Sequence, residues 1–479
     1  MEEDQSQRTL GVIPLTLFAI GTTLASGVFS LSGDFAASGA HTLAVLIGWG
    51  ICGVGMLALT MCFFNLSVVK PELTSGIYTY AREGFGEFLG FNSAWGYWMS
   101  ALLAQISFIS LLFAALGNFF SLFGDGSNLA SLIVSSIIIW GLSYLVYRGV
   151  NEAVLINAIV VSAKILPILV MLGAIMMAGA FSPETFMTHF KGVEGGLSLF
   201  EQIKGTVYTT VWIFIGIEGA VVLSGRGKNT KVSGTATILS FVSLFILYLI
   251  LSVLSMGVMP QEQLAELANP PMAGILKAVV GQWGANLVNL AVVISLGGAM
   301  FTYTILCVDS AYGPAKHGAF PQIFAKLNKH EAPTWSIIAS TVFIQIFLII
   351  LYFNESTYQA MYAMSTSAIM VPYVFSAFYY MKLMIQGKGT VGTMNRTISW
   401  VIAIVGSIYG FWLLYASGLT YILVSMMLYA PGIIFYVINR KEKKLKLFNN
   451  SIDLFLCIAL LVAAGVAVYL TLNGTLQFF

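Results

Sequence analysis

Lys164 and Glu218 have the most chemistry to offer in this sequence, because each stands inside an otherwise apolar run: Lys164 in Ala163-Lys164-Ile165-Leu166-Pro167, and Glu218 in Phe214-Ile215-Gly216-Ile217-Glu218-Gly219-Ala220. In hydrocarbon an ionisable group must be paired, hydrated or neutralised, so each side chain is either a proton carrier or a fixed structural group. For Lys164 the fixed role is a permanent cation that pins the first and fifth apolar spans together. For Glu218 it is a protonated carboxylic acid closing a hydrogen-bond network with Tyr97 or Tyr373. Trp212 lies six residues before Glu218. Its ring either packs or stacks on a cationic group, an interaction of about 0.5–2 kcal/mol.

The elements that must hold these residues are membrane helices. The chain has 479 residues, 58% hydrophobic and 9% charged, against roughly 25% charged in a soluble domain. Runs of about 20 apolar residues without period-2 alternation favour helices over barrel strands. Thirteen spans are expected, near 11–32, 42–66, 92–121, 129–149, 153–180, 205–224, 233–258, 284–310, 335–353, 358–384, 398–416, 418–438 and 451–472. The segment 1–8 carries Glu2, Glu3 and Asp4 and lacks the basic start of a cleaved signal peptide, so the first span is expected to remain.

The distribution of the 22 basic residues sets the orientation. With residues 1–10 cytoplasmic, only Lys191, Lys204 and Lys277 fall outside and Lys164 within a span, leaving the rest inside. The four cysteines lie in apolar stretches, which excludes a disulfide framework, and the four histidines are scattered over loops on both sides, so no metal site is expected. Gly225-Arg226-Gly227-Lys228 fails the phosphate-loop spacing, because Asn229 follows the lysine and position 222 is not glycine. Nothing supports nucleic-acid binding or a catalytic cluster.

Two spans are interrupted at matching places. The first contains Gly21-Thr22-Thr23-Leu24-Ala25-Ser26-Gly27 and the sixth the Phe214–Ala220 run quoted above. Each helical glycine costs about 1 kcal/mol relative to alanine, so paired glycines favour unwound backbone. Single glycines also serve close packing. Five spans separate the two breaks, which suggests inverted repeats over 11–180 and 205–384, followed by additional spans over 398–472, with a site at mid-depth. Exposed amide N–H groups and carbonyls at such breaks suit a carboxylate and an ammonium, the two ends of an amino acid.

On these residues the chain resembles the amino acid–polyamine–organocation superfamily, and within it the basic amino acid/polyamine antiporters, over about residues 10–440. The similar pieces are Ser26-Gly27-Val28-Phe29, Gly76-Ile77-Tyr78-Thr79-Tyr80-Ala81-Arg82, Gly90-Phe91-Asn92-Ser93-Ala94-Trp95-Gly96-Tyr97-Trp98, Trp212 through Glu218, and Val371-Pro372-Tyr373. The segment through Tyr97-Trp98 is similar to bacterial arginine/ornithine antiporters. The resemblance implies that backbone around Ser26 and Gly27 binds a substrate carboxylate, that carbonyls of Thr23, Trp212 and Ile215 receive its α-ammonium, and that Trp212 covers it. It implies head-group contacts at Ser100, Ala101, Gln105, Tyr303 and Ser365, and a gate layer of Tyr97, Glu218 and Tyr373. The arginine/agmatine exchanger has Asn where this chain has Gln105, and relatives carry tryptophan at the position of Tyr303. Lysine occupies the region of Lys164 in some proton-coupled relatives.

The reading is an all-α membrane protein of the five-plus-five inverted-repeat transporter fold, with helices 1 and 6 broken. It is expected in the plasma membrane with a cytoplasmic N-terminus, exchanging a cationic amino acid for a related amino acid or amine, without cofactor or metal. The alternative is a proton-coupled symporter that uses Lys164 or Glu218. The expected partners are the substrate and the bilayer, with a homodimer left open.

Overall fold

The computed structural model describes residues 11–24, 26–73, 77–150, 154–218, 230–353, 358–391 and 395–476. Residues 1–10, Ala25 of the first break, Gly76, Gly219 and Ala220 of the second break, and the 225–228 stretch lie outside the described residues. In chain order the helices are α1 (Val12–Thr23), α2 (Gly27–Ala37), α3 (Thr42–Val69), α4 (Ile77–Phe85), α5 (Glu87–Gly117) and α6 (Leu129–Tyr147). Next come α7 (Val154–Met177), α8 (Pro183–Met187), α9 (Leu199–Trp212), α10 (Thr230–Val258), α11 (Gln261–Ala265) and α12 (Pro271–Val280). The last are α13 (Gln282–Lys316), α14 (Thr334–Phe353), α15 (Tyr358–Ile385), α16 (Arg396–Tyr429), α17 (Gly432–Glu442) and α18 (Ser451–Leu472).

Among the described residues, nine helices are long and apolar enough to cross a membrane, with α16 and α17 counted as one run. The difference from the thirteen expected spans falls where helices are interrupted. The first span is split into α1 and α2, the sixth breaks after Trp212 and is helical again at Ile217 and Glu218, and the expected eleventh and twelfth spans join across Gly418 in one run, whereas the fifth is the unbroken 24-residue helix α7. Within α16 the chain turns at Gly418, whose φ of 74° and ψ of 165° are not helical.

The chain divides into two compact units. The first holds the described residues up to Phe85, Phe181–Ala265 and Pro372–Ala416; the second holds Gly86–Ala180, Glu266–Val371 and the described residues from Ser417. In the first unit α1 packs on α10 and α3 on α9. The indole of Trp49 on α3 donates to the Ser252 hydroxyl on α10 at 3.2 Å. Ser198 and Glu201 start α9 with a reciprocal capping box, the Glu201 carboxylate accepting from Ser198 N at 2.9 Å.

In the second unit α13 packs on α5 and α7, and α14 on α6. The Thr341 hydroxyl donates to the Ser143 hydroxyl at 2.7 Å, and Gln345 donates to the Ser136 hydroxyl at 3.0 Å. Small polar residues thus join apolar helices, as expected where helix association cannot draw on the hydrophobic effect. The Gly90 to Trp98 motif is part of this core. Trp95 donates its indole N–H to Leu428 O at 2.9 Å, and Trp98 to the Ser340 hydroxyl at 3.0 Å.

Candidate functional site

The first break forms where α1 ends at Thr23 and Leu24 turns extended, with ψ of 95°. The chain becomes helical again at Gly27, where Phe29 N donates to Ser26 O at 3.0 Å. Gly21 lies within α1 and Gly27 opens α2, so the break falls between the paired glycines, as expected. Thr23 and Ser26 are fully buried, and among the described residues neither hydroxyl has a hydrogen-bond partner. A buried hydroxyl without a partner costs roughly 1–3 kcal/mol. Two such groups flank the unwound backbone of the first break.

The second break follows α9 directly. Residues 213–216 form tight turns, with Phe214 N bonded to Val211 O at 3.0 Å and Ile215 N to Trp212 O at 3.2 Å. Gly216 adopts φ of 102°, which a side chain would strain. Its N–H donates to a Glu218 carboxyl oxygen at 3.0 Å, and the same oxygen accepts from the Tyr373 hydroxyl at 2.6 Å. Glu218 and Tyr373 are both buried. Of the two tyrosines expected near this carboxyl, Tyr373 bonds it directly.

The two breaks meet. A Cβ at Gly27 would lie 2.8 Å from Trp212 Cδ1 and 2.9 Å from Ile213 Cγ2. Gly27 therefore lets the start of α2 rest against the edge of the buried Trp212 indole. Behind the second break, the Tyr248 hydroxyl on α10 faces Ile213 O at 3.4 Å.

The remaining expected residues belong to the second unit. Ser100 on α5 and Ser365 on α15 have their hydroxyls 3.1 Å apart, and the Ser365 hydroxyl also donates to Ser100 O at 2.8 Å. Gln105, fully buried, donates to Met300 O at 3.1 Å and to the Thr304 hydroxyl at 3.2 Å. Its amide oxygen has no partner among the described residues. The Tyr303 ring stands edge-on to Phe108 at 4.6 Å between centroids. Ala101 and Lys164 are buried, whereas Tyr97 is half-buried. Pro167, one turn after Lys164 on α7, cannot donate to Ala163 O and so leaves that carbonyl without its usual helical partner.

Two groups escaped the sequence reading. Asp34 on α2 is buried, with the Ser30 hydroxyl on its carboxylate at 2.5 Å. It lies two residues beyond the expected end of the first span, and the break carries the helix further than hydropathy marks. Thr304, one helical turn from Met300, fixes Gln105 and becomes recognisable only once α5 and α13 pack.

His41 and His189, expected to be scattered, come together in the first unit with ring centroids 6.2 Å apart. His189 Nδ1 lies 2.6 Å from a Glu262 carboxylate oxygen. Burial lowers the His41 pKa, while a backbone N–H and the His189 ring hold the Glu262 carboxyl below its ordinary range. Among the described residues no group of three such side chains could hold a metal ion.

Together these features define an all-α, multi-pass membrane protein with buried, unpartnered hydroxyls at the first of two helix breaks that meet, counted among the described residues. The pattern of the amino acid permease family matches residues 10–439. The chain belongs to that family, in the basic amino acid/polyamine antiporter group of the amino acid–polyamine–organocation superfamily, and so to transporters rather than enzymes. It is 37% identical to the arginine/ornithine antiporter of Pseudomonas aeruginosa, over 99% of this chain and 100% of that protein. It is 36% identical to the L-lysine transport protein of Corynebacterium glutamicum, over 98% of this chain and 97% of the other. With the arginine/ornithine antiporter of Latilactobacillus sakei it shares 34% identity over 99% of each.

Proposed function

We propose that the chain is a plasma-membrane secondary transporter that exchanges a cationic amino acid for a related amino acid or amine by alternating access, with arginine against ornithine as the leading pair. The observation that carries this reading is the meeting of the two breaks at Gly27 and Trp212, beside the unpartnered hydroxyls of Thr23 and Ser26. The amides around Ser26 and Gly27 take the substrate carboxylate, and the carbonyls of Thr23, Trp212 and Ile215 its α-ammonium. In the second unit we assign the amide oxygen of Gln105, which has no partner among the described residues, to a cationic head group, with Ser100, Ala101, Tyr303 and Ser365 as further contacts. Tyr97 and Tyr373 act with Glu218 as gate residues. The names of the full-length relatives favour arginine, ornithine or lysine as cargo.

The five-plus-five fold is supported by how the units draw on the chain. The first takes α1 to α4 from the first half and α9 and α10 from the second; the other takes α5 to α7 and then α12 to α14. The two halves divide alike up to Val371, which is what a repeat would produce, and differ in that α15 is shared between the units from Pro372 on. The excess of Lys and Arg on one side supports a cytoplasmic N-terminus.

An obligatory exchanger needs a preloaded counter-substrate. Uptake of labelled arginine into proteoliposomes is expected to require internal ornithine. Equal initial uptake into empty and loaded vesicles, with no imposed gradient, would favour the proton-coupled symporter, in which buried Lys164 or Glu218 carries the proton.

Trp212→Leu keeps bulk but removes the ring's negative face. Affinity for cationic substrates, measured by competition in proteoliposomes, should fall roughly tenfold, which corresponds to about 1.4 kcal/mol. Unchanged affinity in a folded variant would make Trp212 a packing residue.

A further inference from the structure

The second unit has a groove of about 360 Å³ on its surface, between the turn at Gln322–Ala325, the first turns of α14 and the end of α17. Phe324, Trp335, Ala339, Val342, Phe435 and Ile438 are among its walls, and no hydroxyl, amide or charged side chain lines it. Trp335 is 47% exposed and Ile438 42% exposed. On α14 the groove runs from Trp335 to Phe343, a rise of roughly 12 Å at about 1.5 Å per residue, close to one leaflet of a ~30 Å hydrocarbon layer.

The mouth of the groove is basic. Lys326, exposed, directly follows the Gln322–Ala325 turn. Lys441, also exposed, continues the face of α17 that carries Phe435 and Ile438, at successive steps of three residues. Exposed Lys444 and Lys446 follow. Glu442, beside Lys441, accepts from Gln322 N at 2.9 Å and ties α17 to the turn. Buried Arg440 donates to Lys446 O at 2.7 Å and to the Asn449 side chain at 2.6 Å, holding the basic loop against the helix end.

We propose that this groove binds one anionic phospholipid, its acyl chain along Trp335, Ala339 and Val342 and its phosphate between Lys326 and Lys441. An apolar slot of leaflet depth with cations at one end matches the two halves of such a lipid, and an amphipathic indole at the entrance suits the headgroup level. A second copy of the chain is a poorer occupant. A two-fold contact sets a patch against itself, which would bring the two basic rims together.

The full chain, reconstituted in nanodiscs of mixed phosphatidylglycerol and phosphatidylcholine, should retain one phosphatidylglycerol per chain on release into native mass spectrometry. Ala339→Trp and Val342→Trp fill the slot and should each abolish retention. Lys326→Gln and Lys441→Gln, at exposed positions that leave folding undisturbed, should each reduce the preference for phosphatidylglycerol about fivefold. Equal retention of both lipids by the unaltered protein would overturn the proposal, as would full retention in the lysine double variant. Conversion of a dimer to a monomer by Ala339→Trp, with lipid retention unchanged, would assign the groove to a second copy instead.

Discussion

Gly27→Val should reduce arginine/ornithine exchange about a hundredfold while the protein still inserts in the membrane. The first added carbon would stand 2.8 Å from Trp212 Cδ1 and 2.9 Å from Ile213 Cγ2. Ordinary contact needs about 3.5–4.0 Å, so the two breaks must separate by roughly an ångström, and a misplacement of about that size in a binding constellation costs on the order of a hundredfold in rate. Gly27→Ala should show a smaller loss in the same direction, because it adds the offending carbon without the branch. The measurement is exchange of labelled arginine into ornithine-loaded proteoliposomes, normalised to inserted protein. A Gly27→Val protein that exchanges at the full rate would move the substrate away from the meeting of the breaks.

The second large effect separates the two intramembrane ionisable groups. Lys164 is buried on α7, and an ionisable residue inside a membrane helix is by default a functional one. Lys164→Ala should therefore lose most exchange at every pH, leaving the slope of the residual pH profile unchanged. Glu218→Gln should behave differently. The glutamine keeps an oxygen that can accept from Gly216 N and the Tyr373 hydroxyl, the two donors now at 3.0 and 2.6 Å, but it cannot ionise. In an exchanger that moves no proton, its pH–rate profile matches wild type. A flattened profile with substrate binding retained would make Glu218 a proton carrier and favour symport.

What was legible in the sequence follows from what local chemistry can report. The apolar runs marked helices such as α3, α10 and α18 to within a few residues, because span length is set by the hydrocarbon layer. The glycines announced both breaks, and the first opens between the paired Gly21 and Gly27. Gly21 stays helical and the chain unwinds at Leu24, since where a helix opens depends on what packs against it. Glu218 and Tyr373 could be paired in advance as a buried acid and a hydroxyl. The orphan oxygen of Gln105 could not, because it depends on Thr304 and Met300 having taken the amide's donors. The motif from Gly90 to Trp98 carried the resemblance, yet Trp95 and Trp98 bond within the core of their unit. A shared motif can report a shared framework as readily as a shared substrate.

Pro372 interrupts the hydrogen-bond ladder of α15, because a proline has no N–H to offer Ala368 O. The Tyr429 hydroxyl supplies that missing donor at 2.8 Å. The tyrosine reaches it only because position 96 has no side chain: a Cβ there would collide with the Tyr429 hydroxyl and approach Ala368 O at 2.9 Å. Proline, tyrosine and glycine at 372, 429 and 96 are thus one unit of inheritance. A lineage that drifts at 429 to phenylalanine strands a carbonyl in the protein core unless 372 regains an N–H, and one that gains any side chain at 96 expels the tyrosine. Among descendants of this sequence the three positions should change together or not at all.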